Sequence, residues 1–333
     1  MHIESINIKE FRGIKKLSSP IKFNKYNVIV GRNNSGKSAL LDALSLLPFP
    51  DATIGTDKYT FFNESKLNFV RRRYDRPDSV LYGYVGESTI DYIFNKKQIT
   101  FNIKPYNLDT EVIYQEQRMK LNNEQKNAIL IDMNISISES GSYVLYIPYT
   151  KELIDKISKI ITQDNCKNLI IKEKIHMNIM KTLITKYVDD NFTEFLFTPE
   201  LELRKEYSDK SSSYVSLKDM GTGVQKISIL GLWIELMNPK VILIDDIETF
   251  IHPSMLKGFM SWLKNKDIQV IMVTHSIDVL NIISDIGDND TNVIQVEKNT
   301  DDILSHNIIT FDSLINLFDA NVDPRLLSEK LSL

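Results

Sequence analysis

The sequence holds a single cysteine, Cys166, among 333 residues. One thiol excludes an internal disulfide and any cysteine-built metal cluster, and it reads as an inert buried residue of a reducing compartment. Long hydrophobic runs are missing too. The longest candidate, VQKISILGLWIELM, falls short of the ~20 apolar residues a membrane helix needs, and it carries Lys226 and Glu235. The opening MHIESINIKEFRGIKK lacks the continuous apolar core of a signal peptide. A soluble, cytoplasmic chain without membrane contact is therefore expected. An excess of either charge is also lacking: 40 Lys and Arg against 44 Asp and Glu give a formal net charge of −4. That balance gives no whole-molecule attraction to nucleic acid or anionic lipid, so only a local basic patch would serve. Internal repeats, low-complexity tracts and long heptad runs are absent as well.

What is present suits one large globular domain or two modest ones, with 42% hydrophobic and 25% charged residues. HIESINIKEF alternates apolar and polar residues as a half-buried strand does, and IKFNKYNVIVG repeats the pattern and ends on glycine. SALLDALSLL follows with leucines at helical spacing and stops at Pro48. Strand, glycine loop and helix open an α/β domain. From about Thr53 to Tyr149 the segments VLYGYV, IDYIF, QITFNI, EVIYQ, AILIDMNISI and YVLYIP predict an antiparallel β region. Residues 151–196 read as helical throughout, and ELELRKEY with SYVSLK predicts a hairpin around Ser208–Ser213. The last third alternates again: helix VQKISILGLWIELM, strand KVILID, helix PSMLKGFMSWLKN, strand IQVIMVTH, helix IDVLNIIS, strand TNVIQVEK. Wholly apolar strands such as VILI and VIMV suit a parallel sheet covered on both faces.

GRNNSGKS, Gly31 to Ser38, fits the phosphate-binding pattern G-x-x-x-x-G-K-[ST] at every fixed position. The required strand precedes it and the required helix follows. Its glycines let backbone N–H groups curl around phosphate oxygens, with Asn33, Asn34, Ser35, Gly36 and Ala39 contributing to the cradle. Lys37 is expected on the β and γ phosphates and the Ser38 hydroxyl on Mg²⁺. Such a loop calls for a downstream apolar strand ending in aspartate. VILID supplies it at Asp245, and Asp246 stands next as a candidate base for an in-line water. DMGTGVQ, Asp219 to Gln225, is a glycine-bearing turn that opens a helix. VTHS puts His275 directly after the next apolar strand, where a γ-phosphate sensor would stand.

As an ordered set, GRNNSGKS, DMGTGVQ, VILIDDIETFIHP and VTHS resembles the ABC-type ATPases of the SMC/RecF/OLD group. The opening IESINIKEFRGIKKL and the IHP after the acids resemble the stand-alone AAA-type branch related to OLD proteins. The resemblance is close over about 1–50 and 215–300 and covers only the order of elements between. It implies an α/β, ABC-type P-loop ATPase head with a mixed central sheet, an antiparallel β subdomain and an inserted helical lobe. The expected parts are residues 1–150, with the phosphate loop and antiparallel region; 151–214, the lobe and hairpin; and 215–333, with signature turn, metal aspartate and histidine switch.

The resemblance also implies ATP and Mg²⁺ as cofactors, and two heads that sandwich two nucleotides as a homodimer. Thr222, Gly223 and Gln225 would then complete the partner's site, Asp245 would support the metal, and Asp246 and His275 would act on γ-phosphate. Arg12, in the FRG turn, resembles a family position close to the nucleotide; packing or a surface ion pair is the plain alternative. A separate nuclease- or toxin-like effector, or DNA, is the implied target, in nucleic-acid maintenance or antiviral defence.

Three departures stand out. Asp246 replaces the family's glutamate, one methylene shorter. No glutamine stands as the Mg²⁺-sensing loop residue; YIPYT occupies that place, with Thr150 the candidate. About 35 residues follow the last expected strand, too few for the nuclease domain of some OLD proteins. FVRRRYDR, with Arg71, Arg72, Arg73 and Arg76, is expected as a solvated loop, His252 as shaping the turn after the acids, and His176 as part of the helical lobe. A nucleotide-gated scaffold that scarcely hydrolyses ATP and a transporter's nucleotide-binding subunit are the rival readings.

Overall fold

The computed structural model describes residues 3–56, 59–74, 76, 78–105, 109–148, 151–249 and 251–326. They divide into two compact units. The first comprises 1–147, 240–245 and 268–333; the second comprises 148–239 and 246–267. One boundary between the units falls at the peptide bond joining Asp245 to Asp246.

In the first unit, thirteen strands among the described residues form one mixed sheet. Its core is parallel, in the order Val144–Ile147, Val241–Asp245, Gln269–Val273, Tyr26–Val30, Thr291–Lys298. These strands are buried almost end to end, which explains their mostly apolar sequence. Beyond Thr291–Lys298 the sheet turns antiparallel through Ile303–Thr310, and Ile14–Leu17 then pairs parallel with that strand. Ile3–Phe11, Ser88–Phe94, Lys97–Ile103, Thr110–Tyr114 and Gln117–Met119 extend it as an antiparallel meander. The mixed α/β class expected from sequence is the class observed.

Four local readings change. AILID is the end of helix Asn123–Asp132, started by a reciprocal capping box in which Asn122 Oδ1 accepts from Gln125 N–H at 2.9 Å and Gln125 Oε1 from Asn122 N–H at 3.0 Å. VLYGYV is no strand, because Gly83 and Tyr84 take left-handed φ of 59° and 66° in a short 3₁₀ turn. YVLYIP supplies Val144–Ile147, a parallel strand of the core rather than part of the antiparallel region. Ile303–Thr310, missed in the sequence, forms a hairpin with Thr291–Lys298 across a turn at Asn299–Asp302. Thr150 lies outside the described residues.

The second unit contains helices Lys151–Ile161 and Asp164–Lys172 and a helical run from Ile175 to Tyr187 with a π turn at Met180–Ile184. The expected helix ends there. Phe192–Phe197 is instead the first strand of a three-stranded antiparallel sheet with Leu201–Glu206 and Ser212–Ser216. Helix Thr222–Met237 is buried on nearly every face. A Cβ on Gly231 would come within 3.1–3.3 Å of Leu183 and Ile179, so a bare backbone there allows that close crossing. Burial pushes the Cys166 thiol up to about 11, which keeps it inert.

Candidate nucleotide-binding site

Strand Tyr26–Val30 delivers the loop to the carboxyl edge of the parallel sheet, where ligands of open α/β folds bind. Gly31 passes so close to Thr291–Lys298 that a Cβ would sit 2.3 Å from the Val296 carbonyl oxygen. Gly36, with φ 92° and ψ 6°, makes the left-handed turn into helix Lys37–Ser45. Between them Asn33 and Asn34 are exposed, and Asn34 also takes a left-handed φ of 63°. Lys37 is buried, and its Nζ donates to the carbonyls of Gly31 and Arg32 at 2.8 and 2.7 Å, which fixes the ammonium within the loop. Ala39 is buried behind it. Ser35 Oγ is buried without a hydrogen-bond partner. An orphaned hydroxyl in a glycine-turned loop is what an oxyanion would satisfy.

The Ser38 hydroxyl hydrogen-bonds the Asp245 carboxylate at the end of Val241–Asp245. Two hard oxygen donors thus meet beside the loop. Among the described residues no cluster of three His, Cys, Asp or Glu is assembled to cage a metal. Mg²⁺ needs none, since it keeps waters and substrate phosphates and takes one or two protein ligands. Burial pushes the Asp245 carboxyl up, against the Ser38 hydroxyl and the positive charges of Arg73, Lys37 and His275, which pull it down. A buried carboxylate whose desolvation outweighs its neighbours is a ready cation ligand.

His275 is exposed just past the end of Gln269–Val273, close enough for its charge to act on Asp245. Loop, serine, aspartate and histidine therefore converge in the first unit.

Arg12 meets the helix that follows the loop. Its guanidinium pairs with Asp42, on helix Lys37–Ser45, and stacks 3.7 Å from the Tyr74 ring centroid. Arg73 and Tyr74 bind the same wholly buried carboxylate at 2.6 and 2.9 Å, and Arg73 also donates to Tyr146. The expectation of a solvated FVRRRYDR loop is thus corrected. Helix Lys66–Arg72 turns Arg73 and Tyr74 inward onto Asp42, while Arg72 stays exposed on Glu64 at 2.9 Å. An aspartate on the apolar face of SALLDALS was the readable signal, since a buried carboxylate needs cations. A groove of about 590 Å³ beside this cluster is lined by Arg12, Tyr74, Arg76, Tyr82, Tyr84 and Asp302, among others.

The second unit holds the remaining expected residues. Gly221 caps helix Thr222–Met237, with Thr222 exposed and Gly223 half-buried at its start. The Gln225 amide donates to the carbonyls of Lys218 and Met220 at 3.0 and 2.7 Å, closing its own turn. Asp246 has a left-handed φ of 46°, and its carbonyl accepts from Thr249 Oγ1 at 3.1 Å. Lys226, read in the sequence only as a charge within the helix, donates to the carbonyls of Ile247 and Thr249 at 3.1 and 3.3 Å. His252 caps helix Pro253–Lys264 through Nδ1, the turn-shaping part expected of it.

Residues 1–75 match the family model described as "AAA ATPase domain", and residues 189–281 match "AAA domain, putative AbiEii toxin, Type IV TA system". The chain is 23% identical over 333 aligned residues to an ATP/GTP phosphatase of Helicobacter pylori, spanning 85% of this chain and 88% of that one. Its fold is similar to an Smc head bound to the C-winged helix domain of ScpA, with a TM-score of 0.63 at 17% identity, over 95% of this chain and 100% of that one. An Smc head with an extended coiled coil, bound to the C-terminal domain of ScpA from Pyrococcus furiosus, gives 0.60 at 15% identity, over 96% and 99%. No helix of the described residues is long and apolar enough to cross a membrane.

Proposed function

We propose that this chain, an SMC-like ATPase of the ABC and AAA class, works as an ATP-dependent dimerising switch. The observation that carries the reading is the Ser38–Asp245 hydrogen bond beside a glycine-turned loop with a buried lysine. Ser38 and Asp245 would hold Mg²⁺, which supplies charge neutralisation at the phosphate oxygens when bound. The loop N–H groups, Ser35 and Lys37 hold the phosphates. His275 contacts γ-phosphate, and Asp246 orients and deprotonates the attacking water. The phosphatase relative, named for both ATP and GTP, supports a site that takes either nucleotide.

Closure brings Thr222 and Gly223 of one copy onto the nucleotide of the other, aiming a helix N-terminus at γ-phosphate. The output goes to a separate effector in nucleic-acid maintenance or antiviral defence. The toxin–antitoxin wording of the second family model and the ScpA-bound Smc heads support a separate effector. DNA is a weaker target, because Arg73 is committed to Asp42 and Arg72 to Glu64.

Steady-state ATPase assays and light scattering on the full chain test the reading. Wild type turns over Mg·ATP, Asp246→Asn loses roughly a hundredfold and accumulates dimer with ATP, and Lys37→Ala does neither. Monomers throughout, at micromolar protein and saturating ATP, would remove the shared site. Unchanged turnover in Asp246→Asn would take the base role from Asp246, and no turnover in wild type would leave a nucleotide-gated scaffold.

A further inference from the structure

Beyond helix Phe311–Asp319 the chain returns to the carboxyl edge of the sheet in the first unit, at the short 3₁₀ turn Pro324–Leu326. Arg325 Nη1 donates to the main-chain carbonyl of His275 at 2.8 Å. Asp323 holds the same guanidinium from its other side: Nε reaches both carboxylate oxygens at 3.0 and 3.1 Å, and Nη2 reaches Oδ2 at 2.6 Å. The carbonyl of Arg325 accepts from Gln295 Nε2 at 3.0 Å. Gln295 in turn pairs in register with Val30, the residue before the phosphate loop. A continuous set of contacts therefore runs from the strand that carries the loop, through Gln295 and Arg325, to the backbone of His275.

We propose that Arg325 is a positioning residue for His275, a strap that fixes the backbone from which the imidazole reaches γ-phosphate. The inference rests on the reading of His275 given above. Three features favour a positional over a purely charge-based part. The bidentate pair with Asp323 fixes the fork's orientation and neutralises most of its field. The bond goes to a backbone carbonyl, so it sets the course of the chain rather than the protonation of the ring. It also meets the turn between strand and helix: Thr274 Oγ1 accepts from Ser276 N–H at 2.9 Å, and helix Ile277–Ile286 starts directly after that. An end-tethering contact alone would serve stability and leave catalysis untouched.

The two parts separate in a double-mutant cycle on the full chain, with kcat, KM and thermal midpoint measured for each variant. Arg325→Ala is expected to lower kcat by about tenfold with KM within about twofold, since small misplacements near reacting atoms cost that much or more. Arg325→Lys, able to reach one carbonyl, recovers part of the loss. Asp323→Asn, which leaves the arginine in place but loosens it, gives a smaller drop and guards against a folding defect in the alanine variant. In a His275→Ala background Arg325→Ala should add less than about twofold, because the two act as one unit. A lower kcat in His275→Ala with none in Arg325→Ala overturns the strap alone. Losses that multiply, or a lowered thermal midpoint with kcat intact, also overturn it. Unchanged kcat in His275→Ala overturns the reading of the site and the strap together.

Discussion

Arg73 places its Nη2 3.8 Å from the Asp245 carboxylate while its Nη1 donates to Asp42 at 2.6 Å. The arginine thus ties helix Lys37–Ser45 to the end of the strand that bears Asp245, the candidate metal ligand, within one unit. Asp42 is the centre of this cluster, wholly buried and held by Arg12, Arg73 and Tyr74.

Removing Asp42 takes the shared carboxylate from two largely buried guanidinium groups, leaving Arg73 only the more distant Asp245 at 3.8 Å. Loss of one partner from a buried pair costs about 3–5 kcal/mol, whereas exposed pairs contribute ~0–1 kcal/mol. Asp42→Ala is therefore expected to lower the urea midpoint sharply. Arg72→Ala, which removes one exposed arginine from a half-buried Glu64, should lower it far less. Equal midpoints for the two variants would refute the distinction drawn between neighbouring arginines.

Lys66 is buried, and its Nζ donates to the carbonyls of Leu47 and Val144. Burial pushes this amine down to about 7, against 10.5 when free. The sign follows from proton counts. Between those values the unfolded chain binds a proton that the folded chain does not, so stability rises with pH across that window and is lost as pH falls toward 7. The slope is about 1.4 kcal/mol per pH unit. Urea unfolding at pH 8 and 9.5 should show wild type gaining roughly 2 kcal/mol over Lys66→Met across that interval. Parallel behaviour of the two proteins would mean that the carbonyls keep Lys66 charged despite its burial.

Much of the site was readable because its chemistry is local. GRNNSGKS carries its own turn and helix start, and VILID carries its aspartate at the strand end. The strands that carry both are mostly apolar because each is buried on both faces of the sheet. What escaped was set by contacts distant in sequence. Arg73 looked like one of four surface arginines until the fold set it against Asp42, 31 positions earlier. Arg325 meets His275 across 50 positions through a backbone carbonyl, an acceptor every residue owns and no sequence can flag. AILID read as a strand because four apolar residues in a row fit either period; the Asn122–Gln125 capping box upstream decides for helix.

Lys226 poses the last test, in the second unit. It follows Gln225 on helix Thr222–Met237 and clamps the carbonyls of Ile247 and Thr249, which bracket Glu248 just past the candidate base. Asp246 sits there in a left-handed conformation that aspartate tolerates better than glutamate, so the loop's course matters more than usual for aiming a short carboxylate. Burial pushes the Lys226 ammonium down to about 8, with Glu248 and Asp246 pulling it back up. Below that value it is charged and faces both acids; above it the charge is lost. The kcat of wild type is therefore expected to fall as pH rises from 7 to 9.5. Lys226→Arg, whose guanidinium stays charged throughout, should lack that fall, and Lys226→Met should be about tenfold slower at pH 7, a part of the ~10²–10⁴ that a general base supplies. An alkaline decline of the same depth in Lys226→Arg would place the titrating group elsewhere and remove Lys226 from the control of Asp246.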